Sequence, residues 1–387
     1  MGNVPGVTFC QVPLSISDLA RRTRSTGGGS MTLRAGKRAP TARRRNLARR
    51  SLFLAMALLL GLTVATGVFG LPSTTSASAS TAKSRPQRLI IDTDLSRWWD
   101  DVTAVGMANV LQQQGKVQIL GVMSDIRNPV AAAALDAIDT AYGHKGIPVG
   151  AVADSSANTA PHGYSDVLAE ELPHAIRDSS QAQPAVRLYR HLLATQPNHS
   201  VTVVAIGGDT NLEGLLRSGP GQGSSLRGRA LVAAKVKDLV IEDGLFPAGG
   251  PPLTNEQIDI AATTWIVGTH GWPTAIAWVD GFTGINTKVG SSLCTSVPPK
   301  NPMRIVYQNL FNCGPPGDGD WDGPTMLFAV QGVSGTFSEL GQGGAAIINS
   351  TGGLSWGSGV HHPPEVYVHV ANQTELNARI NALIESS

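Results

Sequence analysis

The chain has 387 residues, 42% of them hydrophobic, with 44 glycines and a formal net charge of +2. That is ample for a large core in one or two domains. The charge is unevenly placed. Residues 1–82 hold 11 Arg or Lys against a single acid, Asp18, so the +2 total leaves −8 on residues 83–387. An acidic body lacks the basic face of a nucleic-acid binder, and its plainest reading is solubility.

Taken in chain order, the first element is the leader. Arg43-Arg44-Arg45 and Arg49-Arg50 precede a 19-residue apolar run, Leu52 to Gly70, followed by a Ser/Thr/Ala-rich stretch containing Ala77-Ser78-Ala79. That order is the pattern of a secretory signal. Arg49-Arg50-Ser51-Leu52-Phe53 resembles a twin-arginine export signal, although its hydrophobic pair is unusual. A run of this length is also near the ~20 residues that span a bilayer, so an uncleaved anchor stays open. Residues 1–30 look unlike any signal, and Met31 is a candidate start. Residues 1–85 therefore read as leader and linker, and residues 86–387 as one domain, secreted or otherwise outside the cytoplasm.

Beyond Arg88, short apolar runs alternate with helical patterns. The runs are Leu89–Asp92, Val117–Val122, Ile147–Val152, Val201–Ile206, Leu239–Ile241, Ala275–Val279 and Val366–Val370. Val102, Val105, Ala108 and Leu111 recur at helical spacing, as do Ala131, Leu135, Ile138 and Ala141. Strands with little polar alternation, separated by helices, predict an α/β fold: an open, mostly parallel sheet with helices on both faces. The chain ends in a predicted helix, Gln373–Ile384. Segments 153–165, 246–254 and 313–323 read as loops. Cys294 and Cys313, the body's two cysteines, predict one disulfide in an oxidising compartment; two buried thiols are the alternative.

Ligands of open α/β sheets bind at the carboxyl ends of the strands. The first strand ends in Asp92-Thr93-Asp94, and Asp100 and Asp101 follow where a helix begins. Four carboxylates within ten residues repel one another. A helix N-terminus offsets only ~0.3–1 kcal/mol per acid, so a bound cation explains them better than a solvated helix cap. All-oxygen ligation suits a hard ion such as calcium.

These residues resemble a known family. "IIDTDLSRWWDDVTAV" is similar to the N-terminal signature of the inosine/uridine-preferring nucleoside hydrolases, in a longer variant. "LGVMSDIRN", "VTVVAIGGDTNLEGLL", "KVKDLVIEDGLF", "LTNEQIDIAATTWIVGTHGWPTAIAWVD" and "WDGPTMLFAV" follow in the family's order. The resemblance implies a nucleoside hydrolase-like fold holding Ca2+ on Asp94, Asp101, Asp322 and the Ile206 carbonyl. It implies Asp94 as general base on a calcium-bound water, Asp100, Asn128 and Asn255 as sugar contacts, and Asp92 as support. Trp321 would stack on the leaving base, which leans toward purine nucleosides. The implied reaction is hydrolysis of the N-glycosidic bond to free base and ribose, with a nucleoside or related glycoside as partner. The alternative for Trp321 is a core aromatic.

The departures are local. Leu95-Ser96 replaces the family's Pro-Gly, and Trp98 and Trp99 stand in the turn. Glu242-Asp243-Gly244 replaces Met-Gly-Gly, and Leu253 stands where an acid touches the ribose 5′ side. The metal set is complete while part of the sugar set is not, so a glycoside- or nucleoside-binding protein with weak catalysis is the alternative, and a calcium-stabilised structural domain a third. Gly207-Gly208 lacks the Lys and Ser/Thr of a phosphate loop. His361-His362 and His162 read as exposed loop residues. The oligomeric state is open, and a membrane enters only through an uncleaved leader.

Overall fold

The protein is described by a computed structural model covering residues 85–387 apart from 97, 154–158, 160–161, 269–270, 317–318 and 360–362. The predicted leader and His361-His362 lie outside the described residues. Among the described residues, no helix is long and apolar enough to cross a membrane.

The strands are β1 (Gln87–Thr93), β2 (Val117–Ser124), β3 (Val149–Ala151), β4 (Gln183–Pro184), β5 (Val201–Ile206), β6 (Val236–Glu242), β7 (Ala275–Val279), β8 (Phe337–Leu340), β9 (Gly344–Ile348), β10 (Leu354–Ser358) and β11 (Glu365–Val370). Nine of them form one sheet, in the order β4-β3-β2-β1-β5-β6-β7-β11-β8. Every pairing in it is parallel except β11 with β8. β9 and β10 make a separate antiparallel hairpin. All seven predicted runs are strands. β4 and β8 to β10 escape the pattern because they are short or only half-buried.

The longer helices are α1 (Asp100–Gln113), α2 (Ala131–Ala141), α3 (Tyr164–Glu171), α4 (Ala185–Ala194), α5 (Thr210–Arg217), α6 (Gly228–Lys235), α7 (Ile260–Val267), α8 (Pro302–Phe311), α9 (Asp322–Gln331) and α10 (Gln373–Ile384). Alternation along each strand feeds two cores. Leu89, Ile91, Val204 and Ile206 face one, with α1, α2, α8, α9 and α10; Ile90, Val203 and Ala205 face the other, with α4, α5 and α6. Near-continuous burial of β1 and β5 follows from cover on both faces. The sheet is the predicted open one, and α10 has the predicted limits.

The order of strands decides where a ligand can sit. The chain builds outward from β1 to β4, then returns to lay β5 on the other side of β1. That reversal opens a crevice at the carboxyl ends of β1 and β5. Register pairs Asp92 with Ala205 and Thr93 with Ile206, so both strand ends meet there. Cys294 and Cys313 are bonded, with Cα atoms 5.7 Å apart. The bridge ties the helical turn Leu293–Ser296 to the residue beyond the left-handed Asn312 that ends α8.

Candidate functional site

Two helix starts converge on the crevice. α1 begins at Asp100 and α9 at Asp322, and neither has a side-chain cap. Their first-turn acids meet: one carboxylate oxygen each from Asp100, Asp101 and Asp322 lie within 4.8 Å of one another. Asp100 accepts the Trp321 main-chain N–H at 3.3 Å, which links the two helix starts directly. Asp101 accepts from the Thr93 hydroxyl through Oδ1. Its Oδ2 is buried without a hydrogen-bond partner.

Burial lifts the pKa of Asp101 well above the usual carboxylate range, and the charges of Asp94 and Asp100 lift it further. Asp322 is raised well above it too, by burial and then by Asp100 and Asp101. Like charges held together in a dry site cannot all ionise unless a counter-charge joins them. A compact all-oxygen group with an orphaned Asp101 oxygen fits a hard cation. This distance grouping includes Asp100, assigned to the sugar by resemblance; Asp94 lies beside it as a charge acting on Asp101. Ile206 ends β5 next to Thr93, at the floor of the crevice.

Asp92 points to the opposite face of β1. It accepts the Tyr189 hydroxyl at 2.8 Å and the Asn211 Nδ2 at 2.9 Å. Burial raises it to about 7. These bonds anchor the end of β1 to α4 and α5. Asn128 is buried, and its Oδ1 caps α2 by accepting from Val130 at 2.9 Å and Ala131 at 3.0 Å. Trp321 is half-buried. Its Nε1 donates to the Gly281 carbonyl at 2.6 Å, and a Cβ on Gly284 would lie 2.3 Å from the indole. Gly284 is thus required for the ring to sit where it does.

Four residues here carried no predicted role. Glu242 ends β6, and its Oε2 accepts from Asn255 Nδ2 at 2.7 Å. Burial raises its pKa well above the normal range, and Asp100 is the nearest charge in effect. The sequence signal was its departure from the family's Met. Asp125, at the end of β2's extension, is fully buried and neither oxygen has a hydrogen-bond partner. A Cβ on Gly207 would stand 2.4 Å from its Oδ2 and 2.6 Å from the Asp94 nitrogen, so Gly207 serves close approach, not phosphate binding. Asp320 is buried and raised to about 8 by burial and Asp100, while its Oδ1 accepts the Gly323 N–H at 2.9 Å. Tyr164, the first residue of α3, is buried with an unpartnered hydroxyl. His162 is exposed and pairs with Asp166 at 2.8 Å.

By sequence, no protein-family model and no curated protein matches the chain. Solved structures do match its fold. The inosine-uridine preferring nucleoside hydrolase of Bacillus anthracis aligns with a TM-score of 0.60 at 14% identity, over 78% of this chain and 100% of that one. The purine-preferring ribonucleoside hydrolase of Gardnerella vaginalis gives 0.54 at 14% identity, over 78% and 100%. The type III effector protein XopQ, solved with adenosine diphosphate ribose, gives 0.55 at 16%, over 79% and 95%. The chain therefore has the fold of the nucleoside hydrolases, carried by a sequence only 14% identical to that of the Bacillus anthracis enzyme.

Proposed function

We propose that the protein is a divergent, exported nucleoside hydrolase that uses calcium and cleaves the N-glycosidic bond of purine-leaning nucleosides. The observation that carries this reading is the meeting of Asp100, Asp101 and Asp322 at one point, above the strand-order reversal of a nucleoside hydrolase fold. Asp94, Asp101, Asp322 and the Ile206 carbonyl would hold the ion, with Asp100 close enough to share it. When bound, such an ion acidifies a water and orients sugar hydroxyls.

The chain's own residues supply the rest. Asp94 takes the proton as water attacks the anomeric carbon. The surrounding carboxylates favour the positive charge that develops on the sugar. Trp321, fixed at Nε1 and on Gly284, offers a planar face to the departing base. Asp100, Asn128 and Asn255 hold the sugar.

The second reading is a glycoside- or nucleoside-binding protein that turns its ligand over weakly. Glu242 and Leu253 favour it, because both alter the sugar end of the crevice. One experiment separates the two. Purified residues 86–387 are incubated with a nucleoside panel, with and without chelator, and released base and reducing sugar are assayed. Chelator-sensitive release, fastest from purine nucleosides, is expected. Binding without release from any nucleoside would leave the second reading standing. Export is tested separately, by fractionating cells that express the full chain.

A further inference from the structure

Tyr164 is built into the core as an aromatic ring, yet it keeps a hydroxyl that the fold does not use. The residue is 2% exposed and belongs to the main core, where α3 packs against α2 and α8. Its hydroxyl has no hydrogen-bond partner. A buried hydroxyl in that state is costly, and phenylalanine would fill the same space without the cost. The position of the ring is well determined. α3 docks on the turn between Asp94 and Asp100, where the Ser165 N–H donates to the Ser96 carbonyl at 3.3 Å. Its first turn is closed by Asp166, which accepts the Gly163 N–H at 3.0 Å.

The phenol lies close enough to the acid cluster to feel its charge. After burial, the charges acting on it are those of Asp101, Asp100, Asp94 and Asp322, and together they hold it protonated. A neutral phenol is a donor. None of the four carboxylates receives its proton, which leaves it free to serve an acceptor that the cluster holds.

We propose that the Tyr164 hydroxyl donates a hydrogen bond to a neutral ligand oxygen held by the acid cluster, a sugar hydroxyl in the complex and a water in its place otherwise. This makes Tyr164, at the start of α3, a ligand-binding residue. The identity of that oxygen rests on the functional reading above.

The test compares the wild-type full chain with Tyr164→Phe by calorimetry, titrating first calcium chloride and then D-ribose at saturating calcium, with melting temperatures taken in chelator. With no ligand present, the variant should melt at or above the wild-type temperature, since it loses a hydroxyl without a partner. Its ribose affinity should fall about tenfold, the size of one ordinary hydrogen bond, with calcium affinity within about twofold. A fall in calcium affinity alone identifies the oxygen as water and supports the same donor role. Unchanged affinities for both overturn the proposal. So does a melting temperature several degrees lower in chelator, which would reveal a structural bond. A wild-type chain that binds neither calcium nor ribose overturns the functional reading itself, and the Tyr164 assignment with it.

Discussion

Asp101 shows how a single carboxylate is set for its task. One oxygen is held by Thr93 and the other is left bare in a buried place. Removing the Thr93 hydroxyl leaves both oxygens without a donor. Thr93→Val should therefore destabilise the chain by about 1–3 kcal/mol, read by urea unfolding with and without calcium. Asp94 differs in kind, because its proposed work is proton transfer. Asp94→Asn should lower kcat for a purine nucleoside by about 10²–10⁴-fold, and activity insensitive to the change would sink the assigned mechanism. Asp322→Asn should instead abolish calcium binding by calorimetry. The acids of β1 and α1 are legible in the sequence because they are adjacent there. Asp322 was reachable only through the ordered resemblance, and Asp125 and Tyr164 not at all. A buried acid or phenol within an apolar stretch looks like any other until its surroundings are known.

At the scale of elements, the crevice depends on close approaches. Gly207 lets β5 end against Asp125 and Asp94, and a Cβ there would lie 2.4 Å from Asp125 Oδ2. Gly207→Ala should cost about 1–3 kcal/mol through forced displacement, with a matching fall in calcium affinity, since the backbone of Asp94 must also move. The disulfide works from the other side. It fastens the end of α8, where Phe311 packs edge-on against Trp99 with ring centroids 4.9 Å apart. Trp99 directly precedes Asp100 and Asp101. Cys294→Ser with Cys313→Ser should lower stability by roughly 3 kcal/mol, the loop-closure effect for a sequence separation of 19. Denaturant unfolding of oxidised, reduced and double-variant protein measures it. The strands and α10 were legible because burial on both faces leaves continuous apolar runs. β4 and β8 to β10 were not, since two to five residues at an edge or in a hairpin carry too little pattern.

For the whole molecule, the acidic interior governs how stability depends on pH. Asp92, Asp139, Asp209 and Asp280 are all raised by burial to about 7. A raised folded-state pKa means the folded chain holds its protons more tightly than the unfolded chain does. The resulting stability is complete below the unfolded value near 4 and is lost as pH rises through about 7. In chelator, the melting temperature should therefore fall between pH 5 and pH 8. Calcium should restore it, more strongly at the higher pH, because ligand bound only by the folded state stabilises it. A melting temperature that climbs steadily with pH in chelator would contradict this account.

The alternation of strand and helix, and hence an open parallel sheet, is written into the local sequence, because hydrophobic periodicity is local. The sequence also places four acids at the end of the first strand, where the chain must turn. What closes around them comes from the packing of distant segments. The reversal of strand order sets β5 beside β1, and α9 brings Asp322 to Asp100 and Asp101 from more than 200 residues away. Glu242, Asp125 and the bare hydroxyl of Tyr164 join them only in three dimensions. Burial and mutual charge, which set the properties of every one of these groups, are relations between distant segments and belong to the fold.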